Sequence, residues 1–169
     1  LLKKVQSSEK KLSPKSRILF GKVYIELERP AKALEYFKSV TFSSTQFDAE
    51  ANAGMAKAEF MLGNLEKSRD FAERSLEINP DLIDGKVTLA QILSEQMLVE
   101  RSEKLLKEAL NLEPDNLLAQ LNYGELKIDQ NNFKEAIDIF EKIYEKNEDF
   151  QNVIMRLATV YSIIGEFKK

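Results

Sequence analysis

A thirty-four-residue period constrains this chain more than any other feature. Laid against itself, the sequence divides into units beginning at Pro14, Ala49, Ile83, Leu117 and Gln151, with spacings of 35, 34, 34 and 34. Residue types return in phase. The eighth place of each unit is small: Gly21, Ala56, Ala90, Gly124, Ala158. The seventh is large and apolar: Phe20, Met55, Leu89, Tyr123, Leu157. Ala33, Ser68, Ser102 and Ala136 hold the twentieth place, and Phe37, Ala72, Leu106 and Phe140 the twenty-fourth. A fixed period of this length is the signature of a repeat whose units bury their apolar faces against one another.

Within a unit, apolar residues recur at three- and four-residue steps, as in Phe20, Val23, Tyr24, Leu27 and in Leu105, Leu106, Ala109, Leu110, Leu112. That is helix periodicity. Breakers divide each unit into two helices: Glu28-Arg29-Pro30, Leu62-Gly63-Asn64 and Gln130-Asn131-Asn132. Pro30 fits a first helical turn, where its missing N–H costs nothing. Asn79-Pro80-Asp81 and Glu113-Pro114-Asp115-Asn116 supply stops followed by capping groups. No segment alternates as a strand would. The small eighth and twentieth residues let paired helices approach, and the large seventh and twenty-fourth residues fill the gap beside them. Leucine at Ala33 or Gly124 should overpack the pair by roughly 1–3 kcal/mol.

These residues carry a family resemblance. Phe20-Gly21…Tyr24…Ala33…Phe37 and Leu89-Ala90…Ala109-Leu110…Pro114 resemble the tetratricopeptide repeat (TPR) over residues 14–169. The resemblance implies an all-α fold, a right-handed α-solenoid superhelix of helix–turn–helix repeats. Four complete units and a partial fifth (151–169) follow residues 1–13, a remnant of a preceding helix (Leu1, Leu2, Val5) or a linker. The pattern departs in places. No Trp stands at the fourth place, Thr45 and Glu148 replace the closing Pro, and the eleventh place holds Glu59, Leu93 and Lys127 in the middle units. Ser68, Ala72 and Ser75 predict looser packing in the second unit.

Composition excludes much chemistry. The 169 residues include no His, Cys or Trp, which removes imidazole bases, thiolates, disulfides and the usual zinc ligands. The six glycines never cluster, so no phosphate-cradling loop exists. Carboxylate pairs such as Glu100/Glu103 and Asp138/Glu141 stand among Lys and Arg at helical spacing and read as solvated faces. Asp129-Gln130-Asn131-Asn132 and Asn147-Glu148-Asp149 lack the glycine-centred loop of a calcium site and read as turns. The expectation is a chain with no catalytic residue, no cofactor and no metal. No apolar run is long enough to span a membrane. Without an initiator Met the sequence reads as a segment of a longer protein, and cytoplasm and periplasm suit it equally.

Residues 1–38 carry ten basic and four acidic groups, a local +6, against 15 − 24 = −9 for the rest. Basic residues are not interleaved with aromatics, so no nucleic-acid role is expected. The family resemblance assigns the inner face to the second, fifth, sixth, ninth, twelfth and thirteenth places. These give Lys15, Lys22, Lys57, Phe60, Met61, Gln91, Asn122, Glu125, Asp129 and Arg156 as the candidate groove. A clamp for a chaperone's C-terminal carboxylates needs Lys at the fifth and Asn at the ninth place; Ile18 and Lys22, then Gly54, Asp84 and Thr88 do not supply it. The expected function is a non-enzymatic protein–protein interaction scaffold that binds a peptide or partner helix and supports complex assembly. Two alternatives stand beside it. One is a self-associating array, a homo-oligomer through the apolar face Leu157, Val160, Tyr161, Ile164 of the partial fifth unit. The other is the repeat region of a larger protein, such as a glycosyltransferase or a cell-envelope polysaccharide assembly or secretion protein.

Overall fold

In the computed structural model, which describes residues 12–40, 45–146 and 151–165, helices and turns account for all regular structure among the described residues. Among the described residues the helices are α1 (Pro14–Glu26), α2 (Pro30–Lys38), α3 (Thr45–Met61), α4 (Leu65–Ile78), α5 (Ile83–Glu95), α6 (Val99–Leu112), α7 (Leu117–Asp129), α8 (Phe133–Lys146) and α9 (Gln151–Ile163). This is an all-α helical-repeat solenoid architecture of antiparallel pairs. The expectations for Leu1, Leu2 and Val5 and for Asn147-Glu148-Asp149 lie outside the described residues. Among the described residues no helix is long and apolar enough to cross a membrane.

The chain divides into two compact units, Leu1–Ile92 and Leu93–Lys169. In the first, α1 packs on α2 and α3, and α3 on α4. Its core is Ile18, Ala33, Leu34, Phe37, Val40, Ala51, Met55 and Ala58. In the second, α6, α7, α8 and α9 pack in sequence, around Ala136, Phe140, Ile143, Val153 and Val160. Helix starts follow local chemistry. The Ser16 amide donates to Ser13 Oγ at 3.1 Å ahead of Pro14, and the Ala119 amide donates to Asn116 Oδ1 at 3.0 Å, each satisfying an orphan N–H of a first turn. Pro30 opens α2 as expected.

The turn inside each hairpin repeats one backbone device. Glu28, Gly63, Met97, Asn131 and Gly165 all have positive φ, between 54° and 78°. Their spacing is again 35, 34, 34 and 34. In four of the turns the next amide donates back five residues: Arg29 to Tyr24, Asn64 to Glu59, Leu98 to Leu93 and Asn132 to Lys127, at 2.8–2.9 Å. This closure satisfies the last helical carbonyls and needs a left-handed residue, usually Gly or Asn. Met97 fills that position while 80% exposed, so its side chain contributes little packing against the backbone strain. Met97→Gly should therefore raise stability by about 0.5–1 kcal/mol, the relief of strain outweighing the added freedom of the unfolded chain. A urea midpoint that moves down instead would contradict this.

Three expectations need correction. The second hairpin is not loosely packed: α3 and α4 pack extensively on one another, and Ser68, Ala72 and Ser75 are fully enclosed. Small side chains brought the helices together instead of leaving a void. Their hydroxyls are satisfied, Ser68 Oγ donating to the Ala56 carbonyl and Ser75 Oγ to that of Ala72, both at 2.7 Å. Second, Phe20 does not fill the core. It is half exposed and stacks on Tyr36 at 5.4 Å between ring centroids, with Tyr24 on Tyr36 at 5.3 Å. Third, the open apolar residues of α9 are Ile154, Met155 and Ile163, whereas Val160 is buried and Leu157, Tyr161 and Ile164 are half covered. The preceding hairpin takes one side of that face, through Val160 and Leu157.

Candidate functional site

The first helices of the hairpins present the candidate groove. In the first unit these are α1, α3 and α5. Lys15 stands exposed in the first turn of α1. Two turns on, Lys22 reaches α5, its Nζ 2.7 Å from Asp84 Oδ2. The pair joins residues 62 apart in sequence. Burial by itself would lower the Lys22 pKa. The Asp84 hydrogen bond and charge, together with the field of Glu50, outweigh it and hold the ammonium above its ordinary value.

Lys57 occupies the matching place on α3 with different surroundings. Its Nζ donates to Gln91 Oε1 at 2.8 Å and lies 5.5 Å above the Phe60 ring. Burial pushes its pKa below the ordinary lysine value, and the field of Glu26 offsets only part of this. Met61 lies exposed at the end of the same helix. The structure thus brings Lys57, Phe60 and Gln91 together, and sets Lys22 against Asp84.

In the second unit two of the candidates, Glu125 and Arg156, pair with each other. Asn122 Nδ2 donates to the Leu118 carbonyl on its own helix at 2.7 Å. Arg156 on α9 forms an ion pair with Glu125 on α7 and donates through Nη1 to the Asn152 carbonyl at 3.0 Å. Asp129 is exposed at the end of α7.

The same unit holds a polar cluster that spacing did not reveal. Lys127 is almost fully buried, its side chain 6% exposed. Its Nζ donates to Glu103 Oε1 at 3.0 Å and to Gln130 Oε1 at 2.9 Å, with Glu135 Oε2 at 3.4 Å and the Tyr123 ring 4.8 Å below. Glu103 also pairs with Lys107 at 2.7 Å and accepts from Gln130 Nε2 at 2.8 Å. Bonds from Lys107, Gln130 and Lys127 draw the Glu103 carboxyl down from its ordinary 4.5 to about 2. Burial works against the Lys127 charge, but Glu103 and Tyr123 overcome it and raise the pKa. Glu103 is therefore not a residue of a solvated face, as its neighbours on α6 had suggested. Glu141 likewise accepts from the Tyr161 hydroxyl at 2.8 Å. The signal was the charged residue at the eleventh place, where the preceding unit has the buried Leu93.

Comparison with known proteins fits this geometry. A family model described as tetratricopeptide repeat matches residues 18–83, and one described as YpiA-like, tetratricopeptide repeats, matches residues 95–148. The human protein O-mannosyl-transferase TMTC3 is 26% identical over 146 residues, which cover 84% of this chain but only 16% of that protein. The crystal structure of a thermophilic TPR protein from Thermus thermophilus superposes with a TM-score of 0.76 at 18% identity, covering 90% of this chain and 84% of that one. YrrB, described as a TPR protein with an unusual peptide-binding site, superposes with a TM-score of 0.58 at 15% identity, over 90% of this chain and 78% of its own. At these identities the structural likeness is one of fold.

Proposed function

Because the chain belongs to the tetratricopeptide repeat family, whose members are generally non-catalytic scaffolds, we propose that it is a non-enzymatic interaction module that binds an acidic, extended peptide. The binding face is the one formed by α1, α3 and α5, and the bound segment belongs to a partner protein that the array helps to assemble. One observation carries this reading. Lys57 is a half-buried cation that donates to a neutral amide and lies over an aromatic ring. The field of Glu26 reaches it, but among the described residues no carboxylate forms an ion pair with it, and Lys22 holds the equivalent place of the neighbouring first helix. Buried charge is costly without a counter-charge, and an incoming carboxylate provides one. Extended segments suit a surface of parallel helices that offers regularly spaced side chains. The description of YrrB as a TPR protein with an unusual peptide-binding site supports a peptide as the class of ligand.

The test is the double variant Lys22→Glu/Lys57→Glu. An acidic peptide should bind it at least tenfold more weakly than wild type at low salt, with helicity unchanged. Equal binding by the two proteins would overturn the reading.

A second reading has one specific support, the 26% identity to a mannosyl-transferase of which the chain covers 16%. In it, the segment is the repeat region of a larger transferase whose chemistry lies outside these residues. Deleting the segment from its parent protein would then lower transfer to protein acceptors and spare hydrolysis of the donor.

A further inference from the structure

Lys22 and Lys57 meet α5 on unequal terms. Lys22 is already occupied by the Asp84 carboxylate at 2.7 Å, whereas α5 offers Lys57 the neutral Gln91 amide at 2.8 Å. Asp84 and Gln91 are seven residues apart on one helix, two turns or about 10 Å. The two ammonium groups therefore sit on one face of α5 at about that separation. Both members of the Lys22–Asp84 pair are nearly half exposed, 48% and 43%. An ion pair so open to water contributes little and exchanges readily. Asp84 also stands at the second place of its unit, one of the places that the family resemblance assigns to the inner face. It belongs to the same surface as the lysine it neutralises.

We propose that Asp84 is an internal competitor for the acidic ligand, holding Lys22 until a second ligand carboxylate displaces it. The proposal rests on the α1–α3–α5 face being the peptide surface. The first carboxylate goes to Lys57, where no protein carboxylate forms an ion pair among the described residues. The second must reach about 10 Å along the face. An extended polyproline-II peptide advances ~3.1 Å per residue and returns to the same side every third residue. Two acidic residues three positions apart match the spacing, and a peptide with one acid does not reach Lys22. Once displaced, Asp84 and the nearby Glu50 remain negative and oppose the second carboxylate. The groove thus selects ligands with two correctly spaced acids over merely acidic ones.

The prediction has an unusual sign: removing an ion pair should strengthen binding. Fluorescence anisotropy would compare two labelled peptides, one with two glutamates three residues apart and one in which the second glutamate is glutamine. Asp84→Asn keeps the side-chain shape and should bind the two-acid peptide about 3- to 10-fold more tightly than wild type. The one-acid peptide should change less than about twofold, because Asp84 lies about a Debye length from Lys57 at 0.15 M salt. Adding Lys22→Gln should abolish the gain. Equal or weaker binding of the two-acid peptide by Asp84→Asn, with wild type binding it and Lys57→Gln not, would overturn the competitor role and leave the groove intact. No binding by wild type, or binding insensitive to Lys57→Gln, would overturn the groove reading and this proposal with it. Far-ultraviolet circular dichroism of each variant establishes that α5 remains folded.

Discussion

Replacing Phe37 with alanine is expected to lower the unfolding free energy by about 3–5 kcal/mol, the scale of a buried aromatic truncation. Phe37 is 1% exposed, and its ring is shared by three segments. It lies against the α-carbons of Gly21 on α1 and Gly54 on α3 so closely that a methyl group at either would stand 2.3–2.8 Å from ring atoms. The helices around Phe37 cannot close over the cavity, because the glycines have no side chains to move into it. The reciprocal change follows from the same geometry. Gly54→Ala should cost about 1–3 kcal/mol by overpacking, and the double variant Gly54→Ala/Phe37→Leu should recover part of that loss, since leucine shortens the group the new methyl meets. Urea unfolding followed by helical circular dichroism measures all three. A Phe37→Ala loss below about 1 kcal/mol would show that the glycine notches do not depend on the ring. Phe140 against Gly124 repeats the arrangement in the second unit, with a built methyl 2.6 Å from the ring.

Glu103→Gln is expected to destabilise the protein by about 2–3 kcal/mol at neutral pH, because it strips the buried Lys127 of its best counter-charge. Breaking a buried pair from one side leaves an uncompensated charge. Lys127 keeps Gln130 and the more distant Glu135, which places the cost at the lower end of that effect. Lys127→Leu should cost under about 1 kcal/mol, since the same place in the preceding unit accepts Leu93, and it should recover most of the Glu103→Gln loss when combined with it. The pH dependence has a definite sign. The Glu103 carboxyl titrates near 2 in the folded chain against an ordinary 4.5. Its contribution is therefore complete above about 4.5 and is lost as pH falls through the folded value near 2. The shift corresponds to about 3 kcal/mol at 1.36 kcal/mol per pH unit, reduced to about 2 kcal/mol by solvent screening at this partly exposed group. The gap between wild type and Glu103→Gln should thus close between pH 4.5 and 2. A gap that persists at pH 2 would separate the destabilisation from the charge of Glu103.

Much of the fold was legible because the repeat writes it several times. The Gly21–Phe37 and Gly124–Phe140 complementarities follow from small and large types returning at the eighth and twenty-fourth places. The left-handed turn was only half legible. Gly63 and Asn131 advertise it; Glu28 and Met97 do not, although the period counted from Gly63 lands on both. Closure of the hairpin there overrides the preference of the residue. The second hairpin misled for a related reason, since Ser68, Ala72 and Ser75 signal a void only if the helix spacing is fixed. It is not, and α3 and α4 pack closely around them.

For the candidate site, the sequence by itself determined which residue types return at each place of the unit, because the period sets them, and the family resemblance assigns some of those places to the inner face. Lys22, Lys57 and Gln91 all occupy ninth places for that reason, and Asp84 a second place. Only the tertiary structure decided what each one meets. Lys22 meets a carboxylate 62 residues away, Lys57 a neutral amide, and Glu103 a buried lysine from another helix. Spacing along a chain fixes the direction of a side chain on its own helix. The charge it finds there belongs to a different helix, and only packing brings the two within reach.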